Sequence, residues 1–479
     1  SYIVNLCFEQ SIFPLDLKKA NIIPVFKSGD HLLFSNYRPI SVLPLFSKIL
    51  ERLIHSRLIK YLNDKNILND FQFGFRKKHS TESALAYAME RITSELDNKN
   101  NVVGIFLDLK KAFDAVDHNI LLKKFEHYGV RCNENKLIRN YLSNRAQSVV
   151  LNSHTGTTKN ITFGVPQGSI LGPLLFIIYL NDLKNALVSS FPIMYADDTN
   201  IFISGKNLDE ITDQCNSELT NISHYIQSNR LSLNAIKTHA MIFSTNPDMR
   251  RQKLKLTNNN TDIDTVSLTS FLGVKIDNSL SWVPHITYIC GKIAKSIGIL
   301  KKVSKTLNRD TLKSLYISLI LPYLNYCNLI WGNSAVSHLS RIHLLQKKAV
   351  RIIYGLQLRD HTAPYFVLSK FLNMFDIYKL NCAIFLYKLT YNRFPPFITR
   401  IFSGLIFVFA QESTNSAMST RTATSNLLIL PRCRTSLRQK SLVYVSIKFY
   451  NDFLLPYSLL NSYQSILQFK KNITAILLA

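Results

Sequence analysis

Two apolar runs flank the tetrapeptide Tyr195-Ala196-Asp197-Asp198. Phe191, Ile193 and Tyr195 alternate before it and Ile201, Phe202 and Ile203 follow, which predicts a β-hairpin with two adjacent carboxylates at its turn. Upstream, Val102-Val103-Gly104-Ile105-Phe106-Leu107 has the length of a buried strand and ends on Asp108. Ile22-Ile23-Pro24-Val25-Phe26-Lys27 reads as another strand, closed by the turn Lys27-Ser28-Gly29-Asp30. Elsewhere the period is helical. Ile49, Leu50, Leu53, Ile54, Leu58 and Tyr61 keep an i, i+3, i+4 spacing, and Ser80 with Thr81 and Glu82 opens a second helix through about Leu96. Past Asp277 a stripe of Ile286, Ile289, Ile293, Ile297, Leu300, Val303 and Leu307 predicts an amphipathic helix whose other faces carry Lys292, Lys295, Lys301, Lys302 and Lys305. Arg341 to Ile353 repeats the design. The stretch Ser314 to Trp331 is the longest apolar one, but Tyr316, Ser318, Pro322, Asn325 and Asn328 interrupt it, as a buried helix pair would require. Ile170 to Leu180 is apolar throughout and too short to cross a bilayer, so it reads as a buried helix.

The carboxylates define the chemistry. Asp108, Asp197 and Asp198 on neighbouring strands form an oxygen-only donor set of the kind Mg²⁺ prefers, the ion completing its shell with phosphates and water. Two such ions about 3.5–4 Å apart stabilise the attacking and leaving oxygens of an in-line phosphoryl transfer, which would be a 3′-hydroxyl and a pyrophosphate. An Asp-Asp pair alone is an ordinary turn feature, so the surrounding motifs decide.

Phe106-Leu107-Asp108-Leu109-Lys110-Lys111-Ala112-Phe113-Asp114, then Gly164-Val165-Pro166-Gln167-Gly168-Ser169, then Tyr195-Ala196-Asp197-Asp198, resemble in order and spacing the palm motifs of reverse transcriptases. Asn36-Tyr37-Arg38-Pro39-Ile40-Ser41 and Phe73-Gly74-Phe75-Arg76 narrow the resemblance to the polymerases of non-LTR retrotransposons of the jockey and chicken-repeat type. The resemblance implies an α/β right-hand polymerase. Residues 8–276 would be the reverse transcriptase domain, with fingers over 8–101 and a palm over 102–276 whose sheet is covered on one face. A helical, basic thumb would follow over 277–353, and a C-terminal region of unknown role over 354–479. Leu430 to Leu437 and Phe449-Tyr450-Asn451 are similar to that region in the family, whereas Ile401 to Ala410 is more apolar than its pattern.

The same resemblance implies roles. Asp108, Asp197 and Asp198, with Leu109, would bind two Mg²⁺ ions, for which Mn²⁺ could substitute. Phe113 falls where the family places a ring beneath the sugar of the incoming nucleotide, and a 2′-hydroxyl would clash with it. Gln167 would contact nucleotide or template from a loop that two glycines and a proline keep slim. Leu109 would also lie at the nucleotide, Arg38 and Arg76 would hold the triphosphate with Lys27 assisting, and Lys237 would stand near the leaving pyrophosphate. Gly273, in Phe271 to Ile276, would let a primer backbone approach. Tyr225 stands where many relatives have Trp.

The implied activity is RNA-directed DNA synthesis with an RNA template, a DNA primer at a nicked target and dNTPs. The setting would be the nucleus and cytoplasmic ribonucleoprotein, with no membrane partner, and the relatives' endonuclease domain is expected upstream. Other readings are an intron- or retron-type reverse transcriptase and an inactive or domesticated nucleic-acid-binding relic. An RNA-dependent RNA polymerase fits less well, because Phe113 would obstruct ribonucleotides and Ala196 replaces the usual glycine.

Composition supports a polyanionic partner. The 479 residues are 47% hydrophobic, enough for several cores, and carry a formal charge of +26. Residues 1–249 hold 27 Lys and Arg against 23 Asp and Glu, whereas 250–479 hold 30 against 8. The catalytic motifs therefore lie in the nearly neutral half, and the basic half suits a nucleic-acid backbone. Seven scattered cysteines without a C-x-x-C pair argue against a disulfide framework or a zinc site.

Overall fold

The computed structural model describes residues 2–152, 154–258, 261–407, 427–456, 459–460 and 465–479. Residues 408–410 of the apolar stretch ending at Ala410 thus lie outside the described residues. The first sheet pairs β1 (Lys19–Phe26) with β2 (Tyr37–Val42) antiparallel. On its other side β1 pairs in parallel with β4 (Arg145–Leu151), which also takes β5 (Lys159–Ile161). This sheet thus joins strands from before and after residue 101. Beside it runs α1 (Leu45–Asp64), which buries Leu50, Ile54, Leu58 and Leu62 as the spacing predicts.

The second sheet, which would be the palm's, places β3 (Asn101–Leu107) centrally, between β7 (Asp198–Gly205) and β8 (His239–Phe243), both antiparallel to it. Strand β6 (Phe191–Tyr195) forms the predicted hairpin with β7, and Asp264–Thr265 closes the far edge. The expectation of one covered face is corrected: both are buried. Val103, Ile105, Ile201, Ile203 and Ile242 share a core with α3 (His118–His127), α4 (Leu171–Tyr179) and α5 (Leu208–Ser228). Val102, Phe106, Phe202, Met241 and Phe243 face α2 (Thr81–Asp97) and the helices of the C-terminal half. Helix α2 starts where expected, with Ser80 as N-cap in a reciprocal pair with Ser83.

Past the palm, β9 (Leu268–Phe271) and β10 (Val274–Asp277) form a hairpin turned at Leu272 and Gly273, both at positive φ. Helix α6 (Val283–Val303) buries Ile286, Ile289, Ile293, Ile297 and Leu300. Leu307 is corrected out of the stripe: it lies beyond the helix end and is exposed. The second basic helix, α7 (Val336–Tyr354), packs along α6. The apolar Ser314 to Trp331 stretch is broken into short helices, with Tyr316, Leu324, Leu329 and Trp331 buried. Among the described residues no helix is long and apolar enough to cross a membrane, and all seven cysteines are free.

Candidate active site

Strand pairing brings the three aspartates together. Leu107 at the end of β3 lies opposite Thr199 at the start of β7, so Asp108, Asp197 and Asp198 share one end of the sheet. Tyr195 pairs with Asp198, leaving Ala196 and Asp197 as a two-residue turn with Ala196 at φ +57°. Both turn aspartates are exposed, yet the cleft desolvates Asp198, and Asp197 and Asp108 repel its charge, raising its carboxyl to about 6. Lys27, reaching in from the end of β1, opposes this. Water at so exposed a position screens part of the repulsion.

Asp108 is held at two points by one residue that sequence reasoning passed over. The backbone N–H of Asn234 donates to the Asp108 carbonyl at 2.7 Å, and its Nδ2 donates to Asp108 Oδ2 at 2.9 Å. Asn234 belongs to the same segment as Lys237, whose Nζ lies 3.9 Å from that Oδ2. The Leu109 side chain is buried, so only its backbone can face the cleft.

Phe113 is half-buried on the turn Ala112–Ala115, stacked on Phe176 at 4.5 Å and edge-on to Phe75 at 6.2 Å. Its carbonyl accepts from Val165 N–H at 2.8 Å, which ties the Gly164 to Ser169 loop to this turn. Gln167 is not free: its Nε2 donates to Asp114 Oδ1 at 2.9 Å, and its carbonyl accepts from Ser41 N–H at 2.7 Å. Gly168, at φ +119°, lies so close to Ser41 that an added Cβ would sit 2.6 Å from its carbonyl oxygen.

The two fingers arginines differ. Arg38 is exposed on β2 opposite Val25. Arg76 instead donates from Nη1 to the carbonyls of Asn69 and Gln72 at 2.6 and 3.3 Å, so part of its guanidinium closes its own loop. Gly273 is an exposed hairpin tip backed by Tyr326, whose hydroxyl donates to the Leu272 carbonyl at 2.7 Å. Tyr225 keeps a use for its polar end, donating to Asp182 Oδ1 at 2.6 Å beside the Lys124 ammonium.

Residues 18–276 match the family described as "Reverse transcriptase (RNA-dependent DNA polymerase)". The chain belongs to this family. It is 30% identical over 370 residues to the probable RNA-directed DNA polymerase from transposon X-element of Drosophila melanogaster, over 74% of this chain and 40% of that protein. It is 29% identical to the RNA-directed DNA polymerase from mobile element jockey of the same organism, over 74% and 39%. This reverse transcriptase chain therefore spans about two fifths of the length of these relatives. A solved apo telomerase from Candida tropicalis covers 71% of this chain and 58% of its own at 13% identity and a TM-score of 0.41, too low to bear on the fold.

Divalent cations are general to this family, and the donor set suits one: three carboxylates, no sulfur or nitrogen, and a mutual repulsion that a cation would relieve. Among the described residues no three His, Cys, Asp or Glu side chains stand preset around a single point. The aspartates gather but do not form a closed cage, as suits ions that also take substrate oxygens.

Proposed function

We propose that this chain is the RNA-directed DNA polymerase of a non-LTR retrotransposon, copying element RNA into DNA from a primer at a nicked target. The observation that carries it is the gathering of Asp108, Asp197 and Asp198 at one end of β3 and β7 in a chain of this family. In this reading the three carboxylates, with the Leu109 backbone, hold two Mg²⁺ ions, replaceable by Mn²⁺, which supply charge stabilisation at the attacking and leaving oxygens. Asn234 keeps the Asp108 carboxylate in place for that task. The Lys237 ammonium stands ready to neutralise the departing pyrophosphate. Arg38, Lys27 and the remaining donors of Arg76 meet the triphosphate, and Gln167, held by Asp114, meets the nucleotide or template. Gly273 offers the primer a bare backbone. Residues 8–101 and 102–276 serve as fingers and palm, 277–353 as thumb, and the work takes place in the nucleus and in cytoplasmic ribonucleoprotein.

Extension of a DNA primer on an RNA template with Mg²⁺ tests this directly. Incorporation from dNTPs and not rNTPs is the expected result, and no incorporation despite template binding would overturn it. Phe113→Val should lower the preference for dNTPs over rNTPs by about 10- to 100-fold, the range that a small steric difference in a pocket commands. The ratio of the two kcat/KM values measures it, and an unchanged ratio removes Phe113 from the sugar.

Lys295, Lys301 and Lys302 are exposed on α6 and its C-terminal end. Changing all three to Gln should weaken duplex binding and flatten the plot of log K against log salt by roughly 0.7–0.9 per lysine that meets a phosphate. A slope equal to the parent's would place the duplex elsewhere.

A further inference from the structure

The aspartate turn is gripped from outside its own hairpin. Gln72 is 2% exposed, and its Oε1 accepts from Ala196 N–H at 3.0 Å and from Gly74 N–H at 2.8 Å. Its Nε2 lies 3.5 Å from the Ala196 carbonyl. One buried amide thus meets both backbone polar groups of the residue that precedes Asp197. Ala196 needs such support, because an L-residue at φ +57° is in a conformation that favours glycine.

The flanking backbone reinforces the grip. Phe73 N–H donates to the Met194 carbonyl at 2.7 Å and Met194 N–H donates to the Phe71 carbonyl at 2.9 Å, so Gln72 sits against Met194 of β6 in a single parallel bridge. Gly74 then passes so close that an added Cβ would sit 2.3 Å from Ala196 N. The next residue, Phe75, is the ring edge-on to Phe113.

We infer that Gln72 is a positioning residue that fixes the Ala196-Asp197 turn, and through it the two carboxylates, for divalent cations. The inference rests on the reading of those aspartates as cation ligands. Residues that orient metal ligands commonly cost 10- to 100-fold in metal affinity or activity when changed, and Gln72 acts on the ligands' backbone rather than on their oxygens.

The test compares Gln72→Met, which keeps the side chain's length and apolar bulk but loses every polar contact, with the parent chain. Mn²⁺ affinity is read by electron paramagnetic resonance without nucleotide, together with kcat for primer extension, primer-template Kd and melting temperature. Mn²⁺ affinity and kcat should each fall 10- to 100-fold while primer-template Kd stays within about twofold. Gln72→Leu, which also loses every polar contact, replaces Gln72→Met should that variant not fold, and Gly74→Ala, which pushes the same turn from its backbone side, should move the same two readouts if they report the turn. Parent-like Mn²⁺ affinity in the folded variant overturns the inference, whatever its melting temperature. Asp197→Asn, measured alongside, separates the layers. If it loses Mn²⁺ and activity while Gln72→Met does not, only the role of Gln72 falls; if it keeps both, the reading of the aspartates falls too.

Discussion

Replacing Asp197 and Asp198 together with Ala should lower nucleotide addition by at least about 10³-fold, which is about 4 kcal/mol of barrier, with the chain still folded and still binding duplex. Both side chains are exposed at the hairpin tip, and the turn is held by backbone contacts at Ala196 and Met194, none of which the substitutions touch. The cation-free protein should even gain stability. Asp198 has a folded-state carboxyl raised to about 6 from 3.8, so its favourable contribution is complete below about 3.8 and disappears as pH rises through 6. At pH 7 to 8 the ionised group is a liability that Ala removes. Mg²⁺ should accordingly raise the melting temperature of the parent chain and leave the double variant unmoved, since a ligand stabilises only the folded state that binds it. Single-turnover extension and thermal melts with and without Mg²⁺ measure both effects; residual extension within tenfold of the parent would refute the assignment of these two carboxylates.

The hairpin was legible because its residues are local: alternation on one arm, a polar pair at the turn and an apolar second arm need no distant partner. Asp108 was legible for a related reason, as the first charge after an uninterrupted apolar strand. That strand also carried a signal that the one-face expectation overlooked. Val102, Val103, Ile105, Phe106 and Leu107 do not alternate with polar residues, which is the pattern of a strand buried on both faces, and both are buried.

What could not be read depends on partners remote in sequence. Gln72 meets Ala196 across 124 positions, and although it directly precedes the Phe73 to Arg76 motif, nothing local reveals so distant a partner. Residue type and motif point Arg76 at the triphosphate, but type does not reveal that carbonyls within its own loop engage the guanidinium. Asn234 lay inside a segment already singled out for Lys237. A polar residue three places from a candidate ligand contact was the available clue there.

The C-terminal region was the least legible part, and its contacts make the second large prediction. Arg438→Ala should destabilise the whole chain by about 3–5 kcal/mol, the cost of leaving a buried charge without its partner. Arg438 Nη1 lies 2.5 Å from Glu90 Oε1, with both side chains nearly inaccessible, and also donates to Thr93 Oγ1 at 3.2 Å. The contact is a close, buried ion pair. Burial raises the Glu90 carboxyl even against the pull of Arg438, so the pair does not fully offset its own desolvation. Removing the guanidinium therefore exposes the whole penalty, whereas Glu90→Leu with Arg438→Met should restore most of the loss. Asp97 at the end of the same helix adds a second tether, its Oδ1 accepting from Arg434 N–H, Thr435 N–H and Thr435 Oγ1 at 2.8 to 2.9 Å. Because α2 covers one face of the palm sheet, these tethers make the C-terminal segment part of the wall behind the aspartates. Chemical denaturation of Arg438→Ala followed at two probes, one in the palm and one past residue 427, decides between this and a detachable appendage. One shared transition at a lowered midpoint fits a wall, and a palm transition at the parent's midpoint fits an appendage.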